Sequence, residues 1–187
     1  MAWLGSRLVW GGIAAAACFF LTLWILDAQS PTPTAPPYNA AGLPRVTLGQ
    51  TLDFRNGQNS GALISGWSAP EPGGVWSEGT EAYMGFVTLG MSGKNVSIHF
   101  NCGALAIANW PKQKIEFWSG DTKLSEVTLM KESDNNFSVQ LTGLPLRDGK
   151  PLILRLKLPL AKSLKDLQLS PDPRNLAVAI VSARLDS

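Results

Sequence analysis

Histidine occurs once in this chain and cysteine twice, and charged residues make up only 16% of its 187 residues. Each shortage excludes something. A Ser-His-Asp triad would have to use His99, and no Gly-x-Ser-x-Gly nucleophile elbow accompanies it. Cys18 lies inside an apolar run and Cys102 far downstream, so the rest of the chain has no internal disulfide and one thiol. Cys102 follows directly from an alternating segment and reads as a small buried apolar residue rather than a reactive thiol. Metal ligation through Cys102 and His99 lacks further soft ligands, and no pattern in the chain calls for a cofactor. Basic residues exceed acidic ones by only two, with no basic cluster, which gives no footing for nucleic acid.

What the chain does have begins with residues 8–26, nineteen residues without a charge. At about 1.5 Å per residue they would make a helix of roughly 28 Å, close to the ~30 Å hydrocarbon thickness of a bilayer. Trp3, Trp10 and Trp24 lie near its ends, where amphipathic rings favour the interface. Arg7 precedes the run and Asp27 follows it, so the positive-inside bias puts residues 1–7 in the cytoplasm and exports the rest. The run exceeds the ~7–15 residues of a signal-peptide core, which favours an uncleaved signal anchor. A cleaved signal ending near Ala28, or a lipoprotein signal at Cys18, are the alternatives. Residues 27–44 carry Pro31, Pro33, Pro36, Pro37 and Pro44 among Ser, Thr and Ala, the composition of a semi-rigid spacer.

From residue 45 to 187 the pattern is β. Val96, Ile98 and Phe100 alternate with polar residues, as do Ile115 and Phe117. Leu152, Leu154, Leu156 and Leu158 form the clearest period-two run. Shorter runs surround Val127 and Phe137. Trp118-Ser119-Gly120-Asp121-Thr122 and Arg147-Asp148-Gly149-Lys150 supply turn chemistry. Residues 176–185 are apolar on both sides, as in a strand buried on both faces. Eight to ten short strands are expected, with one helical turn around Ser163 to Leu167. The predicted fold is all-β, a two-sheet antiparallel sandwich of jelly-roll type preceded by one transmembrane helix.

Residues 65–79 concentrate two Trp, two Glu, two Pro and four Gly. Proline lacks a ladder donor and glycine weakens regular elements, so an ordered, packed loop is expected there. Glu71, Glu78 and Glu81 lie in or beside it, and a glycosidase needs two carboxyl groups flanking a sugar. The plainer reading makes them solvated charges or partners for Lys and Arg. Asp172 and Arg174, fixed between Pro171 and Pro173, suit a turn pinned by hydrogen bonds and an ion pair, with sugar binding as the functional alternative. Trp67, Trp76, Trp110 and Trp118 offer flat faces for sugar rings, although at least two are expected in the core. Asn95-Val96-Ser97 and Asn136-Phe137-Ser138 match the glycosylation sequon, relevant only in a eukaryotic secretory pathway.

Gly66 to Gly79 reads G-W-S-x-P-E-x-x-G-x-W-S-x-G, followed by Ala82 and Phe86. Gln113-Lys114-Ile115-Glu116-Phe117, the leucine strand with Pro159, and S-x-D-x-R-x-L at Ser170 to Leu176 come later. With these motifs the chain resembles the β-sandwich domain of unknown function at the C-terminus of some bacterial membrane glycosyltransferases and phosphoglycerol-transferase-like enzymes. Two positions depart from that pattern: Trp118-Ser119-Gly120 replaces an Asn-Gly hairpin, and Ala177 replaces a glycine. The resemblance implies an envelope protein on the exported side of the bacterial inner membrane, near surface-polysaccharide synthesis, and supplies no catalytic residues. The expectation is a single-pass, non-catalytic accessory protein. It would bind glycan or dock onto an inner-membrane glycosyltransferase or polysaccharide synthase. Trp67, Glu71, Trp76, Asp172 and Arg174 would line the site if the two motif segments meet. The runner-up is an interaction subunit whose helix, with Gly11, Gly12 and the alanines at 14–17, packs on a multipass partner. A carboxylate-dependent glycan hydrolase comes third.

Overall fold

Leucine at alternate positions gives the first sheet its centre. In β10 (Pro151–Lys157) Leu152, Leu154 and Leu156 are buried, and Ile153, Arg155 and Lys157 turn outward. β10 runs antiparallel between β5 (Glu81–Leu89) and β7 (Gln113–Ser119), with β8 (Thr122–Leu129) outside β7. The far edge of β5 is shared by β1 (Arg45–Thr47), which is parallel to it, and β3 (Leu63–Ser65), which is antiparallel. These strands belong to a computed structural model that describes residues 42–187 apart from Asn109. The expected anchor at 8–26 and nearly all of the linker at 27–44 lie outside the described residues. Among the described residues no helix is long and apolar enough to cross a membrane.

The second sheet is built on β12 (Asn175–Asp186). One edge pairs with β6 (Ser97–Ala104), which pairs in turn with β9 (Asn135–Gln140). The other edge takes β4 (Val75–Glu78) and then β2 (Thr51–Asp53), and β11 (Lys162–Ser163) pairs with the start of the strand. Ala177, Val178, Ala179 and Ile180 are buried in succession, as the apolar run predicts for a strand covered on both faces. The described residues are all-β, with two six-stranded sheets facing across one core. Phe100 and Phe137 from the second sheet meet Phe117 from the first, with ring centroids 5.2–5.8 Å apart. Aromatic contacts of this kind add about 0.5–1.5 kcal/mol each beyond area burial.

Among the described residues twelve strands form where eight to ten are expected. The longest strand that alternation misses is β5, whose residues 84–88 are all buried, so no period-two signal survives. Gly85 interrupts it for a steric reason: a Cβ there would run into the side chain of Ile153 on β10. The segment after β11 makes one turn, with the Leu167 N–H donating to the Ser163 carbonyl at 3.1 Å, and no full helix follows.

Candidate functional site

Residues 66–79 are a hairpin rather than a loop. Glu71 and Gly74 exchange backbone hydrogen bonds of 2.9 and 3.1 Å around Pro72-Gly73. The Ser68 N–H donates to the Trp76 carbonyl and the Glu78 N–H to the Gly66 carbonyl, each at 2.8 Å, which closes the arms. The second arm is β4, so this proline- and glycine-rich stretch does contribute a strand to the second sheet. Two glycines make that fit. Gly66 has φ +78, and a Cβ on it would strike the Glu81 carbonyl oxygen at the start of β5. Gly74 has φ +130, and a Cβ on it would strike the Ile180 carbonyl oxygen of β12. The hairpin therefore lies backbone-on-backbone against both sheets, which side chains at these positions would prevent.

The structure divides the expected site residues. Trp67 is spent on the fold: its indole N–H donates to the Tyr83 carbonyl at 2.7 Å and its ring packs against the core. It is the only one of Trp67, Trp76, Trp110 and Trp118 that packs against the core cluster, fewer than the two expected. Trp110 is half-buried with its N–H on the Leu160 carbonyl at 3.0 Å. In β4, Val75 and Ser77 are buried, and the Ser77 hydroxyl accepts the Val178 N–H at 3.1 Å. Trp76 and Glu78 consequently occupy the outer face of the second sheet, with Trp76 half-buried opposite Ala179. Glu71 is exposed at the hairpin tip.

The turn before β12 comes up to the same rim. The Gly79 N–H donates to the Asn175 carbonyl at 2.8 Å, and Glu78 pairs with Leu176. Asp172 accepts both the Arg174 backbone N–H (2.9 Å) and its guanidinium, Nε at 3.1 Å and Nη2 at 2.6 Å. Those hydrogen bonds hold the Asp172 carboxyl below its usual value. The guanidinium is held above its usual value, first by the hydrogen bond to Asp172, against some desolvation, with help from the charges of Asp172, Glu78 and Glu71. Arg174 is thus fixed in orientation and remains about one-third exposed. The two motif segments meet at Gly79 and Asn175. Asp172 and Arg174 pair there and the guanidinium feels the charges of Glu78 and Glu71, Trp76 lies on the same outer face opposite Ala179, and Trp67 is turned inward.

Glu81 leaves the acidic trio. It lies on the outer face of the first sheet and accepts the Tyr83 hydroxyl at 3.0 Å, so Glu71, Glu78 and Glu81 do not form one cluster. Cys102 is buried, and burial pushes its thiol up to about 12. His99 has more around it than sequence reasoning found. Ser138 Oγ lies 2.7 Å from Nδ1 and Asp186 Oδ2 lies 3.8 Å from Nε2. These are cross-strand neighbours on an open sheet face, with about half of the His99 side chain exposed, and nothing there encloses a substrate. Among the described residues no three His, Cys, Asp or Glu side chains are grouped to hold a metal ion.

Sequence reasoning also missed a cationic group around Trp118. The Nζ of Lys157, the Cζ of Arg155 and the Nζ of Lys123 lie 4.8, 5.5 and 5.9 Å from its ring centroid. Period-two spacing puts Arg155 and Lys157 on one face, but only the register of β10 against β7 brings them to Trp118.

Fold and rim together define a class: an all-β domain with two facing sheets and a polar, tryptophan-bearing surface. No protein-family model matches the chain, and no curated protein sequence does. Among solved structures, the chain is similar to a family 6 carbohydrate-binding module at 11% identity and TM-score 0.44, over 77% of this chain and 97% of the module. It is also similar to the carbohydrate-binding module CBM36 in complex with calcium and xylotriose, at 12% identity and TM-score 0.37, over 64% of this chain and 84% of that one. A third likeness is to a Cry1Da tryptic core variant from Bacillus thuringiensis, at 12% identity and TM-score 0.46 over 77% of this chain. This chain spans about a quarter of the toxin's length, 24%. Likeness at this level carries neither ligand nor activity across.

Proposed function

We propose that this protein is a membrane-anchored, non-catalytic accessory protein of the bacterial envelope that binds glycan on its exported β-sandwich. The observation that carries this reading is the Asp172-held guanidinium of Arg174, fixed and part-exposed beside the outer face of β4 that carries Trp76 and Glu78, and within the field of Glu78 and Glu71. Sugar recognition needs a flat aromatic face together with polar groups whose orientation is fixed before the ligand arrives. Asp172 orients the guanidinium. Its Nη1 has no hydrogen-bond acceptor among the described residues and is free to donate to ring hydroxyls. Glu78 and Glu71 accept from hydroxyls, and Trp76 offers the ring. The uncharged run at 8–26 and the resemblance to transferase-linked domains support an inner-membrane anchor and a glycosyltransferase or polysaccharide synthase as partner.

Titration calorimetry of the full chain against neutral hexasaccharides of glucose, xylose and mannose, in a zwitterionic detergent without sugar headgroups, tests the binding claim. Trp76→Ala and Arg174→Lys should each weaken a measured affinity about tenfold, the cost of one stacking or charge-assisted contact. Unchanged affinity in both variants removes the rim as the site.

A further inference from the structure

The outer face of the first sheet carries a second surface, on a different sheet from Trp76. In one cross-strand row Arg155 stands between Tyr83 and Trp118, and in the next Lys157 stands between Glu81 and Glu116. The carboxylates of this face are largely engaged. Glu126 pairs with Lys114 and Lys123 at 2.7 Å each. Glu116 pairs with Lys123 at 3.3 Å and accepts the Trp118 indole N–H at 3.3 Å. Glu81 accepts the Tyr83 hydroxyl. Arg155 and Lys157, by contrast, enter no ion pair among the described residues; the half-buried Arg155 lies beside the Tyr83 hydroxyl, and its Nε is buried without a hydrogen-bond acceptor. One buried N–H with no acceptor is uncommon and costly. Beside it, Lys157 forms one wall of a surface recess with Thr80, Glu81, Glu116, Leu158 and Pro159.

We infer that Trp118, Arg155 and Lys157 form a binding platform for a carboxylated glycan, one with uronic-acid units. The sugar ring stacks on Trp118. Its carboxylate takes Arg155 and Lys157, the two cations of this face in no ion pair, and the flexible Lys157 stem swings from the indole to meet it. Ring hydroxyls donate to Glu81 and Glu116 in the recess. A phospholipid headgroup surface presents no sugar ring to stack on Trp118, which favours a glycan over a membrane.

The test is calorimetry on the full chain in the same detergent, with a hexamer of galacturonic acid, maltohexaose as the neutral control, and glycerol 3-phosphate as the headgroup control. The galacturonate hexamer should bind with an affinity that falls as sodium chloride rises, glycerol 3-phosphate should not bind, and any maltohexaose binding, at the Arg174 rim, should be the same in Arg155→Gln as in the parent. Arg155→Gln and Trp118→Ala should each weaken binding by about tenfold or more. Lys157→Gln, an outward-facing change that leaves the core intact, should weaken it several-fold and stands in if Trp118→Ala lowers the thermal midpoint. Arg174→Lys should leave this binding unchanged, so the platform and the Arg174 rim succeed or fail separately. Maltohexaose affinity that falls with Arg155→Gln as much as galacturonate affinity does, tighter binding of glycerol 3-phosphate, no binding of the galacturonate hexamer, or full galacturonate affinity in both Arg155→Gln and Lys157→Gln overturns the inference.

Discussion

Gly73 and Gly74 are adjacent at the tip of one hairpin, and alanine should act on them in opposite ways. At Gly74 the backbone has φ +130, where an L side chain is strained, and a Cβ would strike the Ile180 carbonyl oxygen and lie 3.0 Å from its carbon. Those atoms belong to β12, which is paired on both edges, so they cannot yield cheaply. Backbone strain of this kind costs about 1–3 kcal/mol, and forcing packed elements apart adds about 1–3 kcal/mol. Gly74→Ala should therefore lose about 3 kcal/mol or more. At roughly 2–4 °C per kcal/mol for a chain of this size, the thermal midpoint should fall by about 10 °C. At Gly73 a Cβ would meet nothing within 4 Å. Alanine there should be neutral, or gain up to about 1 kcal/mol by restricting the unfolded chain. Urea unfolding followed by tryptophan fluorescence measures both. A Gly74→Ala variant within about 0.5 kcal/mol of the parent, or equal losses at the two positions, would refute the steric account of the motif.

Trp67→Phe keeps most of the buried ring but leaves the Tyr83 carbonyl without its indole donor. It should cost about 1 kcal/mol in urea unfolding, while any glycan affinity measured at the Arg174 rim stays unchanged. Arg174 depresses the Asp172 carboxyl in the folded protein, so this stabilisation is complete above the unfolded value near pH 4 and is lost as pH falls through the folded value. The thermal midpoint of Asp172→Asn should accordingly fall less steeply than the parent's between about pH 6 and pH 2.5, and parallel profiles would contradict the ion pair. Cys102, with its thiol pushed up to about 12 and its side chain buried, should resist iodoacetamide at about pH 8 in a Cys18→Ser background and react only in denaturant. Mass spectrometry of the intact protein reads the difference.

The sequence by itself determined most of the β architecture, because burial on one face writes itself as alternation. The leucines of β10, the apolar partners in β6 and β7 and the doubly buried β12 were all legible, as was Cys102 as an interior residue. It also marked residues 66–79 and 170–176 as the unusual segments, and Asp172 with Arg174 as an ion pair pinning a turn. Only the tertiary structure decided what those segments do. Whether Trp67 or Trp76 faces outward depends on which strand each joins, and Trp67 turned inward because its N–H meets the Tyr83 carbonyl of another sheet strand. The glycines of the hairpin are required by the backbones of β5 and β12, far away in sequence. β5 stayed hidden because burial on both faces erases period two. Trp118 gathers Arg155 and Lys157 for a similar reason: alternation fixes which residues share a face, but cross-strand register, set by pairing between distant segments, fixes which of them touch.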